Sequence, residues 1–192
     1  VENSYFASNF SNDTRLLSVD ILESITQKRN TRYSTQEHYD CASAFQKSLR
    51  GSDANAAIYY LAKMIEAGED PRFIARRLIV CAAEDVGLAD PNAMNIAVNA
   101  YRAVEIIGLP EGRIPLANAV VYVANAPKSN KIIMAIDRAL ADIESGKDFP
   151  PPMHLRDAHY KDAKKYGFGE GYIYTHAAPD IEQQFMPDEL ID

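Results

Sequence analysis

With 192 residues, 47% of them hydrophobic, the chain can bury a core of its own and is not a disordered segment. Its net charge of −7 argues against broad electrostatic binding to DNA or to an anionic membrane, while leaving room for a local basic patch. No apolar run approaches the roughly 20 residues that a membrane span needs, and the length suits one domain with short appendages.

The first residues are set aside. Glu2-Asn3-Ser4-Tyr5-Phe6 with Ser8-Asn9 resembles a protease-site tag remnant, so residues 1–13 read as a leader or tag remnant, expected to be poorly ordered. Val1 stands where a start methionine would, which fits a fragment or a processed product. Ser18 then predicts the cap of a short helix running to about Lys28, with Val19, Leu22 and Ile25 on one face, and the polar run Arg29 to Glu37 reads as a linker.

A series of helices with marked ends follows. One is expected from about Asp40 to Leu49, closed by Gly51, with Ser52 or Asp53 capping its successor. That successor places Ala54, Ala57, Ile58, Leu61 and Ile65 at three-and-four spacing, which predicts one buried face, and stops at Gly68. Asp70-Pro71 is a cap followed by proline at the first helical position, opening a helix to about Val86 that stops at Gly87. Asp90-Pro91 repeats the device, with Ala93, Ala97, Ala100, Tyr101, Val104 and Ile107 expected inward and a stop at Gly108. Leu116 to Ala124 is apolar nearly all round, so it belongs at the centre of a bundle, and Pro127 ends it. Ser129 or Asn130 opens a last long helix, ending at Gly146, whose Ile132, Ile136, Leu140 and Ile143 are expected to face inward. Beyond Pro150-Pro151-Pro152 the chain is stiffened in extended form. A short helix around His159 to Tyr166 is expected, then a small strand at Tyr172-Ile173-Tyr174. A tail this aromatic is expected to wrap over the bundle.

Little in the sequence carries chemistry. There is no Gly-x-x-x-x-Gly-Lys-Ser/Thr phosphate loop, and the only Gly-Lys, Gly146-Lys147, ends a helix instead of opening one. No catalytic, cofactor-binding or metal-ligating residues are assigned. His154, Asp157 and His159 are the nearest approach to a ligand set, but their spacing fits no standard pattern. The alternative is that His154 and Arg156 hydrogen-bond the tail to the bundle. Cys41 beside His38 offers a thiol and a base, yet such pairs are normally assembled by the fold, and both Cys41 and Cys81 sit in apolar helical patterns as expected of buried thiols. The basic residues leave two readings open. Lys47 and Arg50 suit a helix C-terminus, where cations oppose the dipole, or would meet a phosphate or an acidic partner. Arg72, Arg76 and Arg77 are solvated surface, or reach Glu84, Asp85 or a neighbouring subunit. Lys128 belongs to a cap and turn, or to a contact.

Several segments in order carry a resemblance. They include His38-Tyr39-Asp40, Ser43 to Asp53, Ala56 to Ala62, Ala67-Gly68-Glu69-Asp70-Pro71, Ala75-Arg76-Arg77-Leu78, Glu84 to Pro91, Ala126-Pro127-Lys128-Ser129-Asn130 and Met153-His154-Leu155-Arg156. In order and spacing they resemble the C-terminal part of the RarA/MgsA family of AAA+ ATPases, to which the Werner-helicase-interacting ATPase belongs. The resemblance covers about residues 38–190, and 17–29 are similar to the last helix of the family's lid. It implies an all-α fold, a clamp-loader collar-like helical bundle with an extended, aromatic-rich C-terminal tail. The implied division is residues 14–37 as lid remnant and linker, 38–146 as the oligomerisation domain and 147–192 as tail. It also implies a homo-oligomer, a tetramer, in a bacterial cytosolic, nucleoid-associated protein that acts in replication-fork maintenance, recombination and repair. The whole ATPase would use ATP and magnesium and contact DNA and single-strand-binding protein. This chain would have no ATPase activity of its own, because the Walker and sensor segments are absent from it. Lys47, Arg50, Arg72, Arg76, Arg77, Lys128 and Arg156 become candidates for subunit or DNA-facing contacts. The alternative to an oligomerisation module is a binding module that meets DNA or a replication protein through those basic helix ends. An independent enzyme built on His154 to His159 is the third reading.

Overall fold

A capping box starts the first helix. In the computed structural model, which describes Asn9–Ser11, Thr14–Leu16 and residues 34–191, the Ser34 hydroxyl accepts from the Glu37 backbone N–H, and the Glu37 carboxylate takes the Ser34 N–H at 2.8 Å. Helix α1 therefore spans Thr35–Arg50 and begins earlier than the expected Asp40, within what reads in sequence as linker. Bonds from the Ser34 backbone and hydroxyl hold the Glu37 carboxyl below its ordinary value. Its contribution is thus present above the unfolded value and is lost as pH falls through that range. Ser34→Ala is expected to lower stability by about 1 kcal/mol, read as a lower urea midpoint at unchanged slope. The helix expected from Ser18 to Lys28 lies outside the described residues. Asn9–Ser11 (β1) and Thr14–Leu16 (β2) form a short antiparallel pair with Phe10 opposite Arg15, which the pattern of residues did not announce.

The next three helices start on aspartates. Helix α2, Ala54–Glu66, is capped by Asp53, which accepts from Ala56 N–H at 2.9 Å. Helix α3, Pro71–Cys81, is capped by Asp70, with Pro71 at the first helical position. Helix α4, Asn92–Ile107, has Asp90 accepting from Asn92 N–H at 3.0 Å, while the other Asp90 carboxylate oxygen takes the Tyr122 hydroxyl at 2.9 Å. One cap thus also ties α4 to α5, Arg113–Asn125. Beyond Cys81 the expected single helix to Val86 changes character: Ala82–Val86 is a π-helical turn, ended by Gly87 at φ +52°.

The core lies where these helices meet. Phe45, Leu49, Met64, Ile74, Leu78 and Leu116 are fully buried. As its all-round apolar pattern predicts, α5 is central and packs against α1, α2, α3 and α4. Ala93, Ala97 and Ala100 are buried on α4, which packs against both α3 and α5, and small side chains there allow close approach. Gly112, where α5 begins, admits no side chain: a Cβ there would lie 2.6 Å from the Gly108 carbonyl oxygen. Ile107, expected inward, is instead 51% exposed, since it is the last residue before the Gly108 turn and lies past the end of the packed face.

A larger correction concerns the last helix. Helix α6, Lys131–Glu144, forms as expected, but none of its residues is buried. Ile132, Ile136, Leu140 and Ile143, expected inward, are each about half exposed. Periodicity shows that a helix has an apolar face; it does not say which molecule covers that face.

The described residues as far as Ile133 make one compact unit and those from Met134 onward a second. Within the second, Met153–Leu155, Ala163–Tyr166 and Asp188–Leu190 form 3-10 turns, so the helix expected around His159 to Tyr166 shrinks to its last residues. Tyr172-Ile173-Tyr174 pairs with no strand among the described residues. The Gln183 side-chain amide instead both donates to and accepts from the Ile173 backbone, at 3.0 and 2.9 Å, as a neighbouring strand would. Phe168 packs against Tyr160 and Tyr166, and the Arg156 guanidinium lies 5.3 Å from its ring centre.

Candidate interaction surfaces

The basic residues singled out in sequence divide by what they already hold. Arg50 donates through Nε to the buried Asp85 carboxylate at 2.5 Å and reaches Glu84 at 3.5 Å. It therefore pins the end of α1 to the π-helical turn, and it is Arg50, not Arg72 or Arg76, that meets the Glu84–Asp85 pair. The Cys81 thiol donates to the other Asp85 oxygen at 3.2 Å. Burial, reinforced by that bond and the carboxylate's charge, raises the thiol's pKa far above its ordinary value, so Cys81 stays protonated as the bond requires. The Asp85 backbone carbonyl accepts from Ser129 N–H at 2.7 Å. Asp85 thus joins α1, the end of α3 and the segment entering α6.

Lys128 is a helix cap. Its ammonium donates to the carbonyls of Val123, Ala124 and Ala126 at 3.1, 2.8 and 2.7 Å, satisfying the end of α5. Lys128→Met is expected to lower stability by about 1–2 kcal/mol, seen as a lower urea midpoint, without altering affinity for a partner. Arg72 pairs with the cap residue Asp70 at 3.1 Å, and Arg76 lies over Phe73, 6.0 Å from the ring centre. Arg156 donates to the Pro151 carbonyl at 2.8 Å, and the His154 ring meets the Gln184 carbonyl at 2.8 Å. Both bonds are made inside the tail, where the sequence suggested bonds from tail to bundle. His159 meets Asp157 through Nδ1 at 2.6 Å. No group of three or more potential metal ligands converges among the described residues. His38, the base imagined for Cys41, is taken by Glu69 at 2.5 Å, and Cys41 is buried.

Lys47 and Arg77 remain, and the fold brings them together. A cavity of about 460 Å³ between α1 and α3 is lined by Lys47, Arg50, Arg77, Gln46, Tyr39 and Phe73, with Ala42 and Ser43 completing it. Arg77 donates to Gln46. Sequence reasoning found its cations but missed Tyr39, Gln46 and Phe73. Their spacing along α1 (Tyr39, Ser43, Gln46, Lys47, Arg50) does follow one helical face. A second groove, about 450 Å³, runs between α2 and α5 and is lined chiefly by Ile58, Ile65, Ile114 and Ala117, with Glu66 and Arg113 among its polar members.

The N-termini of α1 to α4 already have partners. Each is occupied by its own side chain: Ser34 with Glu37, Asp53, Asp70 and Asp90. A carboxylate at these positions repels a phosphate where a nucleotide-binding loop would offer bare N–H groups. The ATP and magnesium implied for the whole ATPase therefore do not fit these helix ends.

Residues 51–192 match the family model described as MgsA AAA+ ATPase C terminal. The chain belongs to that family. It is 51% identical over 178 residues to the replication-associated recombination protein A of Bacillus subtilis, covering 91% of this chain and 42% of that protein. It is 43% identical over 164 residues to the Escherichia coli protein of the same name, covering 84% of this chain and 37% of that one. Similarity reaches a Dictyostelium discoideum protein named ATPase WRNIP1, at 40% over 155 residues, covering 79% of this chain and 18% of that protein. The chain thus spans about two fifths of the length of its bacterial relatives. No described helix is long and apolar enough to cross a membrane.

Proposed function

We propose that this MgsA-family domain joins identical subunits of an AAA+ ATPase, as a tetramer, and so spaces the ATPase modules of a protein acting in replication-fork maintenance, recombination and repair. One observation carries the reading. α6 has the most strongly segregated apolar face of the described helices, yet none of its residues is buried within the chain. A soluble helix of this kind has its stability from packing that face, and a repeated subunit with closed symmetry supplies the simplest cover. The names of the bacterial relatives support the setting. ATP and magnesium, and contact with DNA and single-strand-binding protein, are proposed for the whole ATPase only. Light scattering of the chain at tens of micromolar, roughly where a weak interface would still assemble, tests the reading. A mass above one subunit supports it and a strict monomer overturns it.

The cavity between α1 and α3 favours a second reading, in which the domain also meets DNA or a replication protein. Lys47 and Arg77, with the rings of Tyr39 and Phe73 on the two walls beside them, suit an anionic partner, while Arg50 is already paired with Asp85. If so, binding weakens steeply with salt, and Lys47→Ala with Arg77→Ala weakens it further while leaving the oligomer intact. A flat salt response would remove this reading.

A further inference from the structure

The cavity between α1 and α3 has two unlike ends, because these helices run in the same direction. His38, near the start of α1, packs its ring 5.0 Å from that of Phe73, near the start of α3. Further along both helices Arg77 donates to Gln46, and Arg50 then meets Asp85 beyond the end of α3. Rings therefore gather at one end, Tyr39 with Phe73, and cations at the other, Lys47 with Arg77. Phe73 and Arg77 are four residues apart and Tyr39 and Lys47 eight, so the two ends lie about 6–12 Å apart along the helix axes.

Both ends are set before a ligand arrives. The His38 ring beside Phe73 is itself held by Glu69 at 2.5 Å. Tyr39 is 64% exposed, so its ring is open to a stacking partner. At the other end Gln46 orients the Arg77 guanidinium, while Lys47 is exposed and makes no ion pair among the described residues. Among those residues no carboxylate lines the cavity. The acidic groups around it are engaged elsewhere: Glu69 with His38, Asp70 with Arg72, Glu84 and Asp85 with Arg50, and Asp40 with Gln36.

A ligand that satisfies both ends carries a flat ring on one side and an anion on the other. Lys47 and Ser43 reach the anion from α1 and Arg77 from α3. Donors on two walls suit the tetrahedral oxygens of a phosphate better than a carboxylate, whose oxygens lie in one plane. The ring must have a free face, and in a duplex both faces of a base are covered by its neighbours. A space of about 460 Å³ also takes a single unit of a strand and excludes a double helix. Resting on the second reading above, we propose that this cavity holds one nucleotide of a single strand, its unpaired base stacked on Tyr39 beside Phe73 and its phosphate between Lys47 and Arg77. Contacts of this kind read strandedness and not sequence.

The experiment uses the purified chain and a fluorescent oligothymidylate of about 15 nucleotides, at low salt of about 50 mM. Its competitors are a duplex of the same length, an abasic strand with the same number of phosphates, and polyglutamate. The strand with bases is expected to bind at least about tenfold tighter than the duplex or the abasic strand. Tyr39→Ala is expected to abolish that preference and Tyr39→Phe to keep it. Lys47→Ala is expected to lower the salt slope by about 0.7 and leave the preference for bases. Both side chains are exposed, so an unchanged urea midpoint is expected for each variant. The chain has no tryptophan, so Tyr39→Trp supplies a single emitter at the ring end, and the strand is expected to quench it. Equal affinity for strand, duplex and abasic strand, or an unquenched Tyr39→Trp, overturns this site while the second reading stands. Tighter binding of polyglutamate than of the strand also overturns it and leaves an acidic protein partner. Binding of none of these probes overturns both.

Discussion

Replacing Asp85 with alanine is expected to destabilise the domain by about 2 kcal/mol, and the reason lies in how many segments one carboxylate holds. Asp85 is 6% exposed, and its oxygens accept from Arg50 and from Cys81. Removing it leaves the Cys81 thiol without its acceptor and cuts the tie between α1 and the π-helical turn. The loss stays below that of a fully buried ion pair, because the Arg50 side chain is half exposed and regains water, and Glu84 remains at 3.5 Å. Asp85→Asn, which keeps an acceptor, is expected to lose about half as much. For a domain of this size, 2 kcal/mol corresponds to a fall of about 4–8 °C in Tm. Thermal unfolding of the two variants beside the unsubstituted chain checks the order. Equal stabilities would show that the cluster does not couple α1 to the turn.

The double substitution Ile136→Asp with Leu140→Asp is expected to abolish assembly while sparing the fold. Both side chains are half exposed on a helix that buries nothing within the chain, so neither is needed by the core. Covering each in an interface is worth about 1 kcal/mol at the usual area coefficient, and burying an aspartate there adds an unpaired charge. Together the pair is expected to weaken association by about a hundredfold or more. Sedimentation or light scattering reads the mass, and the urea midpoint reads the fold. A falling midpoint with an unchanged mass would place the α6 face inside the domain instead.

Much of the helical order is legible in the residues because it rests on local chemistry. Asp53, Asp70 and Asp90 cap helices by bonding N–H groups two or three residues ahead, and a reader of the chain needs nothing further. The same holds for the all-round apolar run that becomes α5. What was missed locally was misread, not invisible: Ser34 and Glu37 stand at capping-box spacing inside a polar stretch. The candidate site was only half legible. Lys47 and Arg77 stand out as cations, but sequence could not separate them from Arg50 and Lys128. Asp85 satisfies Arg50 from 35 residues away, and Lys128 is used up by the end of α5.

By itself, then, the sequence determined that this chain is a series of capped helices without a phosphate loop, and its ordered motifs determined the family. The tertiary structure decided which surfaces are left over. It covered the apolar faces of α1 to α5 and left those of α6 and the α2–α5 groove open. It spent Arg50 and Lys128 on internal bonds and set Lys47 and Arg77 beside aromatic rings. The physical reason is one of range. Caps and periodicity act over a turn or two of chain, whereas burial and charge pairing depend on segments that meet only once the chain has folded.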